Sequence, residues 1–157
     1  MSDARAFLRH ILATLAYRGG KALRGASPGF ASFRAAETAR TPSQVLAHVG
    51  DLLDWALSTA KGEKAWKESV PLPWDDEVAR FHTALARLDA HLASEAPVAA
   101  SLERLFQGPL ADALTHVGQL TLLRRLSGDP VRAENYYVAQ VETGRVGPDQ
   151  APPKREL

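Results

Sequence analysis

The sequence contains no cysteine, and that absence removes several kinds of chemistry at once. Without a thiol among the 157 residues, disulfide bonds, thiolate nucleophiles and zinc or iron–sulfur sites with cysteine ligands are excluded. A charge imbalance is also missing, because 19 basic and 18 acidic residues leave a net charge of +1. That balance supplies no strong field for nucleic acid or an anionic membrane surface, so neither is expected as a partner.

Long apolar runs are missing as well. A membrane-spanning helix needs about 20 consecutive apolar residues, and no uncharged stretch of this chain is that long. Near the N-terminus, Arg5, Arg9 and His10 interrupt the apolar positions, which is not the pattern of a secretory signal. A soluble cytoplasmic protein is therefore the expectation.

Strand-like alternation of apolar and polar residues is absent too, whereas four segments show helical periodicity. The first segment begins near Asp3, and its glycine pair, Gly19 and Gly20, allows two interpretations. The helix ends near Tyr17, or it continues to Leu23 with the glycines at a close packing contact, and we favour the longer helix. Its apolar face consists of Leu8, Ile11, Leu12 and Leu15.

The second segment carries strong signals for where it starts. Thr41 suits the N-cap, Pro42 suits the first helical position, and Gln44 completes a capping box. Gly62 fits the end of this helix. The expected buried positions are Val45, Val49, Leu52, Leu53 and Ala56.

The third and fourth segments are bounded by proline and glycine. The third follows Pro73, and its apolar residues, spaced alternately by three and four, are typical of a bundle seam. We expect the fourth helix, after a short piece at 102–106, to begin at Pro109 and to stop at Gly128. Arg124 and Arg125, in its last turn, and Arg132 are expected to pair with the end of this helix and with the tail. The third helix buries Val78, Phe81, Leu85, Leu88 and Leu92.

Four amphipathic helices without strands predict an all-α fold, a four-helix bundle over residues 1–128. The long loop between the first two helices allows a crossover connection. Residues 129–157 are rich in proline, glycine and charge, and we expect an irregular C-terminal tail that packs on the bundle through Tyr136 and Tyr137. A further possibility is that Glu134–Tyr137 folds over the mouth of the site described next.

Two histidines and one aspartate form the candidate metal site. His48 lies in the second helix, and His116 lies in the fourth helix one turn after Asp112, so that the last two side chains can point at the same spot. Two imidazoles and a carboxylate leave coordination positions open for water or substrate, and the same set also serves non-haem iron. The alternative is that both histidines are half-buried and hydrogen-bonded, and that the helix dipole accounts for Asp112.

Two further residues are candidates for supporting roles at this site. Gln119 shares a helix face with His116, where it orients a ligand or simply satisfies a neighbouring polar group. Asp51, one turn after His48, either fixes the tautomer of that imidazole or is a solvated helix residue. The remaining histidines, which lie among charged neighbours, are interpreted as surface residues: His10, His82 and His91.

Two short motifs resemble those of a known family. The segment Thr41–His48 (TPSQVLAH) and the segment His116–Leu126 (HVGQLTLLRRL) are similar to the second-helix and fourth-helix motifs of the DinB-like (YfiT-like) superfamily of metal-binding four-helix bundles. The resemblance covers residues 1 to about 128 in element order. It implies a nickel, zinc or similar divalent ion, a homodimer, and in some members transfer of a low-molecular-weight thiol. In that family the fourth helix carries His-x-x-x-His, and Asp112 stands here at the first of those two positions.

Three functions fit these observations. The first is a metal-dependent enzyme that hydrolyses a small molecule or transfers a thiol, with Gln119 or Asp51 orienting the activated group. The second is a non-catalytic module that binds a small ligand or a protein through a degenerate metal site. The third is a structural dimeric bundle in which the histidines are core polar residues. The small-molecule substrate is not identified by the sequence.

Overall fold

The chain forms an all-α four-helix bundle. The computed structural model describes residues 2–157, in which three long helices are followed by a composite fourth one. The helices are α1 (Asp3–Leu23), α2 (Pro42–Ala60), α3 (Trp74–Ala93), α4 (Leu102–Leu105) and α5 (Ala111–Leu126), with a π-helical turn at Phe106–Leu110 between the last two. In the described part of the chain, no helix combines the length and apolarity required to cross a bilayer.

The order of the helices around the bundle follows from which pairs of helices are in contact. Both α1 and α2 pack mainly against α3 and α5, so α1 and α2 are diagonal to each other. The connection between them therefore crosses from one side of the bundle to the other, and its buried Phe30 packs edge to face on Trp74 with ring centroids 5.5 Å apart. Leucines make up much of the interior, among them Leu12, Leu15, Leu53, Leu85, Leu88 and Leu120.

The first helix runs to Leu23, which confirms the longer of the two interpretations. Gly19 is the reason that α1 and α3 can approach so closely, because a Cβ there would lie 2.6 Å from Cζ of Phe81. At the C-terminus of α1, the Arg124 guanidinium donates to the carbonyls of Ala22 and Arg24, each at 3.0 Å. Arg124 Nε also donates to the Asp129 carbonyl at the start of the tail, at 2.8 Å, so the predicted contact with the tail is confirmed, whereas the helix end that the guanidinium caps is that of α1 and not that of its own helix.

The fourth helix begins earlier than the sequence predicts. Helical structure starts at Leu102 and passes through Pro109 without a break, so the expected start at Pro109 is wrong. Proline lacks an amide hydrogen and its ring clashes with the preceding turn of an α-helix. The wider π turn at Phe106–Leu110 accommodates that ring, and π turns of this kind are rare enough to be missed by periodicity.

The tail packs on the side of the bundle away from α2. The buried carboxylate of Glu134 accepts hydrogen bonds from the Tyr17 hydroxyl at 2.5 Å and from Lys21 Nζ at 2.8 Å, both on α1. The expectation that Glu134–Tyr137 covers the metal site is wrong, because this ion pair holds the segment on α1. On α3, buried His82 lies 3.2 Å from the Val146 carbonyl, so its interpretation as a surface residue is also wrong.

Candidate metal site

The structure brings together the three residues singled out as metal ligands. His48 comes from α2, and Asp112 and His116 come from the first turns of α5; one potential ligand atom of each lies within 4.8 Å of the others. Asp112 Oδ1 is 3.3 Å from His116 Nε2, and Asp112 Oδ2 is 3.7 Å from His48 Nε2. The two imidazole rings meet edge to face, with centroids 4.8 Å apart. The carboxylate therefore faces both histidines.

Local sequence signals account for this convergence. The capping box of Thr41 and Gln44 fixes the start of α2, with the Gln44 amide 3.3 Å from the Thr41 hydroxyl oxygen. His48 then falls beside the apolar stripe of α2, at the edge of the bundle interior. On α5, the four-residue spacing places Asp112 and His116 one turn apart on one face.

A hydrogen bond from His116 to Gln119 determines which ring nitrogen is free. His116 Nδ1 is 2.8 Å from Gln119 Oε1, and an amide oxygen can only accept, so Nδ1 carries the hydrogen. In the neutral ring the lone pair is then on Nε2, the nitrogen that faces Asp112. Lone pairs of an imidazole and a carboxylate converge there, and such an arrangement is stabilised by a cation between them.

The electrostatic environment of His48 also suits a metal ligand. Burial is the largest cause that lowers the pKa of His48, and the neighbouring His116 and Arg40 lower it further. Asp112 acts in the opposite direction but does not outweigh them. His48 is therefore neutral at pH 7 and offers a lone pair with little competition from protons.

The spacing and exposure of the donors can be compared with those of a divalent-metal site. Tetrahedral ligands at typical zinc bond lengths lie about 3.4 Å apart. One oxygen of Asp112 lies 3.3 Å from His116 Nε2 and the other lies 3.7 Å from His48 Nε2, while one donor atom from each of the three residues lies within 4.8 Å of the others. The side chains of His48 and His116 are 22% and 12% exposed, while Asp112 is 47% exposed. The site thus opens to solvent, which argues against histidines that serve only as core polar residues.

Asp51 does not lie where either sequence interpretation placed it. Its buried carboxylate accepts from Arg80 Nη2 at 2.6 Å and from the Ser69 amide at 2.9 Å, and no hydrogen bond in the described chain joins it to His48. Burial alone raises the pKa of Asp51, but the hydrogen bonds from Arg80 and Ser69 outweigh it and the pKa is lowered. Asp51 is therefore neither an imidazole partner nor solvated; it is a buried anchor for α3 and the loop at Ser69.

The loop between α2 and α3 supplies a neighbour of the site that sequence reasoning missed. The Trp66 ring lies edge to face with His48 and with Trp55, at 5.9 Å between centroids in both cases. A cavity of about 150 Å³ adjoins His48, and a larger one of about 670 Å³ continues from it along the loop. The two share Asp51, Glu68 and Ser69 as lining residues. No spacing pattern in the sequence signals a contact made by a loop of this length.

Comparison of the chain with known protein families, with curated proteins and with solved structures found no match.

Proposed function

We propose that this protein is a DinB-like bundle that binds a divalent metal ion through His48, Asp112 and His116. The observation that carries the proposal is the convergence of two imidazole nitrogens and one carboxylate at a solvent-open position between α2 and α5. Nickel and zinc suit such a donor set, since imidazole is a preferred ligand of both. The similarity of Thr41–His48 and His116–Leu126 to the family motifs supports the same assignment.

The proposed activity is hydrolysis or thiol transfer on a small molecule. A bound divalent ion would supply Lewis acidity, lowering the pKa of a water or thiol in an open position. Gln119 is a positioning residue in this scheme, because its amide oxygen is engaged by His116 Nδ1. Trp66 packs edge to face against His48, and the adjoining cavities give a substrate room to approach. Asp51 is held by Arg80, so the catalytic role suggested by sequence is not proposed for it.

One observation favours a second candidate, a non-catalytic module for a small ligand or a protein partner. Asp112 stands where the family motif has histidine, and the carboxylate nearest in sequence to His48, Asp51, is neutralised by Arg80. A site without a free general base would bind without turning substrate over. For either function, the family resemblance leads us to propose a homodimer, and the sequence leads us to propose a cytoplasmic location.

Metal content tests the proposal directly. After incubation with nickel or zinc and removal of unbound metal, elemental analysis of the wild type should give about one ion per chain. The variants Asp112→Ala and His116→Ala should lose it. His10→Ala is the matched control, because His10 is a partly buried histidine on α1 whose ring contacts Thr143, outside the site.

Thermal unfolding provides a second readout that needs no substrate. A ligand at 100 times its Kd stabilises the folded state by about 2.7 kcal/mol, so nickel or zinc should raise the Tm of the wild type and of His10→Ala only. A wild type that stays metal-free, or variants that bind as well as it does, would contradict the metal site. Metal binding without turnover of ester, amide or thiol-acceptor substrates would select the binding module.

A further inference from the structure

A separate cavity lies near the C-terminal end of α2, more than one turn beyond His48 along that helix. Its volume is about 360 Å³, within the range of small-molecule sites. Trp55 forms an aromatic wall, and buried Leu105 and Pro109 form an apolar floor. A hydrogen bond of 2.8 Å from the Ala99 amide to the Ala60 carbonyl fixes the segment before α4 against the end of α2, which keeps the two walls in place.

Two cations stand at the rim of this cavity without a counter-ion. Lys64 and Arg104 line it, and neither lies within 4.0 Å of a carboxylate in residues 2–157. The lining contains no acidic residue at all. The cavity of about 670 Å³ that continues from the metal site along the loop is different, since its two cations, Lys67 and Arg80, are outnumbered by carboxylates. An anion is therefore favoured in one cavity and disfavoured in the other.

The cavity also contains an unsatisfied polar atom. Thr59 Oγ1 is inaccessible to solvent and has no hydrogen-bond partner, although a buried hydroxyl normally has one. A threonine in a helix can satisfy itself on the carbonyl one turn earlier, as Thr115 does at 3.0 Å from the Ala111 carbonyl. Thr59 does not do so, and because Oγ1 is inaccessible to solvent it lies behind the cavity surface, so we assign it no contact with a ligand.

We propose that this cavity binds a small organic carboxylate whose apolar body lies against Trp55 and Leu105. The carboxylate would lie at the rim between Lys64 and Arg104, where charge-assisted hydrogen bonds are available. The proposed site goes beyond the metal-dependent function and does not depend on it, because none of the metal ligands lines this cavity.

Titration of the ¹⁵N-labelled full chain with phenylbutyrate tests the assignment by NMR. We expect saturable shifts of the backbone amides at 55–64 and 99–109. The neutral analogue phenylbutanol should bind about fivefold more weakly or worse, because it lacks the charge that faces the two cations. Equal affinity for the acid and the alcohol, no saturable binding of the acid, or shifts confined to other residues would each overturn the proposal.

Single substitutions separate the roles of the lining residues. Arg104→Gln and Lys64→Asn should each weaken phenylbutyrate binding about fivefold. Asparagine suits position 64 because Lys64 has a left-handed backbone, with φ of 56°, which asparagine tolerates. Lys67→Gln, which removes a cation from the neighbouring cavity, is the matched control and should leave the affinity unchanged.

Two more variants serve as controls for the proposed carboxylate site. His116→Ala removes a metal ligand and should keep wild-type affinity for phenylbutyrate, so loss of the metal site and loss of this site are distinguishable. Thr59→Val keeps the shape of the side chain and should leave the affinity for phenylbutyrate unchanged, because the hydroxyl that it removes is not exposed to the cavity. If Lys67→Gln weakens binding as much as Arg104→Gln does, the carboxylate lies in the wrong cavity and the proposal fails.

Discussion

Among single residues, Gln119 decides which nitrogen of His116 is available to a metal. Its amide oxygen accepts from Nδ1 at 2.8 Å, so Gln119→Leu removes the only acceptor described for that nitrogen. The ring could then adopt the other tautomer, with Nε2 protonated. Loss of such a partner lowers metal affinity by about 10- to 100-fold, and competition with a chromophoric chelator measures the change.

A conservative variant separates the hydrogen bond from side-chain packing. Gln119→Glu keeps an oxygen at the same reach, so it should retain metal affinity at least equal to that of the wild type. Gln119→Leu with undiminished affinity would show that the hydrogen bond to His116 has no role in binding.

If the proposed metal site is correct, Asp112 should determine which metal it prefers. The variant Asp112→His replaces a hard oxygen donor by an imidazole and creates the His-x-x-x-His spacing of the motif that the sequence resembles. Nickel affinity should therefore rise relative to manganese affinity, since carboxylates suit manganese and imidazole suits nickel. Titrations of wild type and variant with the two ions give the ratio of Kd values, and an unchanged ratio would show that Asp112 does not contact the metal.

At the scale of helices, the contact between α1 and α3 depends on the absence of a side chain at Gly19. Gly19→Ala gains about 1 kcal/mol of helix propensity, but its Cβ would lie 2.6 Å from Cζ of Phe81. Overpacking of a core typically costs about 1–3 kcal/mol, so we expect the free energy of unfolding to fall. Urea denaturation measures it.

A second helical glycine supplies the matched control. Gly118 on α5 is exposed, and a Cβ there would meet nothing within 4 Å. Gly118→Ala should therefore stabilise the protein by about 0.5–1 kcal/mol. If both variants shift stability in the same direction, helix propensity and not the α1–α3 contact governs Gly19.

The helices illustrate what sequence can and cannot predict here. The start of α2 is specified within four residues, by Thr41, Pro42 and Gln44, and the structure reproduces that capping box. The pairing of Asp51 with Arg80 joins residues 29 apart, and no local pattern reports which distant cation will reach a buried carboxylate. The π turn before α5 likewise depends on how Pro109 packs, and proline in a sequence more often marks a helix start.

In the candidate metal site, too, local spacing was predictable from the sequence and contacts between distant residues were not. The spacing of Asp112 and His116 predicts that they share a face, and the geometry brings them within 3.3 Å. The position of Trp66 beside His48 follows from the path of a loop, which depends on tertiary contacts such as that of Ser69 with Asp51. Local spacing therefore predicted the proximity of Asp112 and His116, and the position of Trp66 and of the adjoining cavities could be seen only in the fold.

At the scale of the whole molecule, His82 links the tail to the bundle and makes that link sensitive to acid. The ring is buried on α3, and its Nδ1 lies 3.2 Å from the Val146 carbonyl of the tail. Burial is the main cause that lowers the pKa of His82, and it outweighs the hydrogen bond to Val146, which acts in the opposite direction. The nearby charge of Arg24 lowers the pKa further. The folded state therefore binds a proton at His82 less readily than the unfolded chain does.

The consequence is a loss of stability in mild acid. A histidine with a lowered pKa in the folded state contributes stability that is present above the unfolded pKa, about 6.5, and is lost as pH falls toward the folded value. Stability should therefore decline below about pH 6.5, with a slope from this one group of at most about 1.4 kcal/mol per pH unit. His82→Gln, which cannot titrate, should flatten the decline, and urea denaturation at several pH values in the presence of a metal chelator measures both slopes.

His10→Gln is the control, because His10 is only partly buried. Equal slopes for wild type and His82→Gln would mean that protonation of His82 does not oppose docking of the tail, and the acid sensitivity would then have to come from other groups.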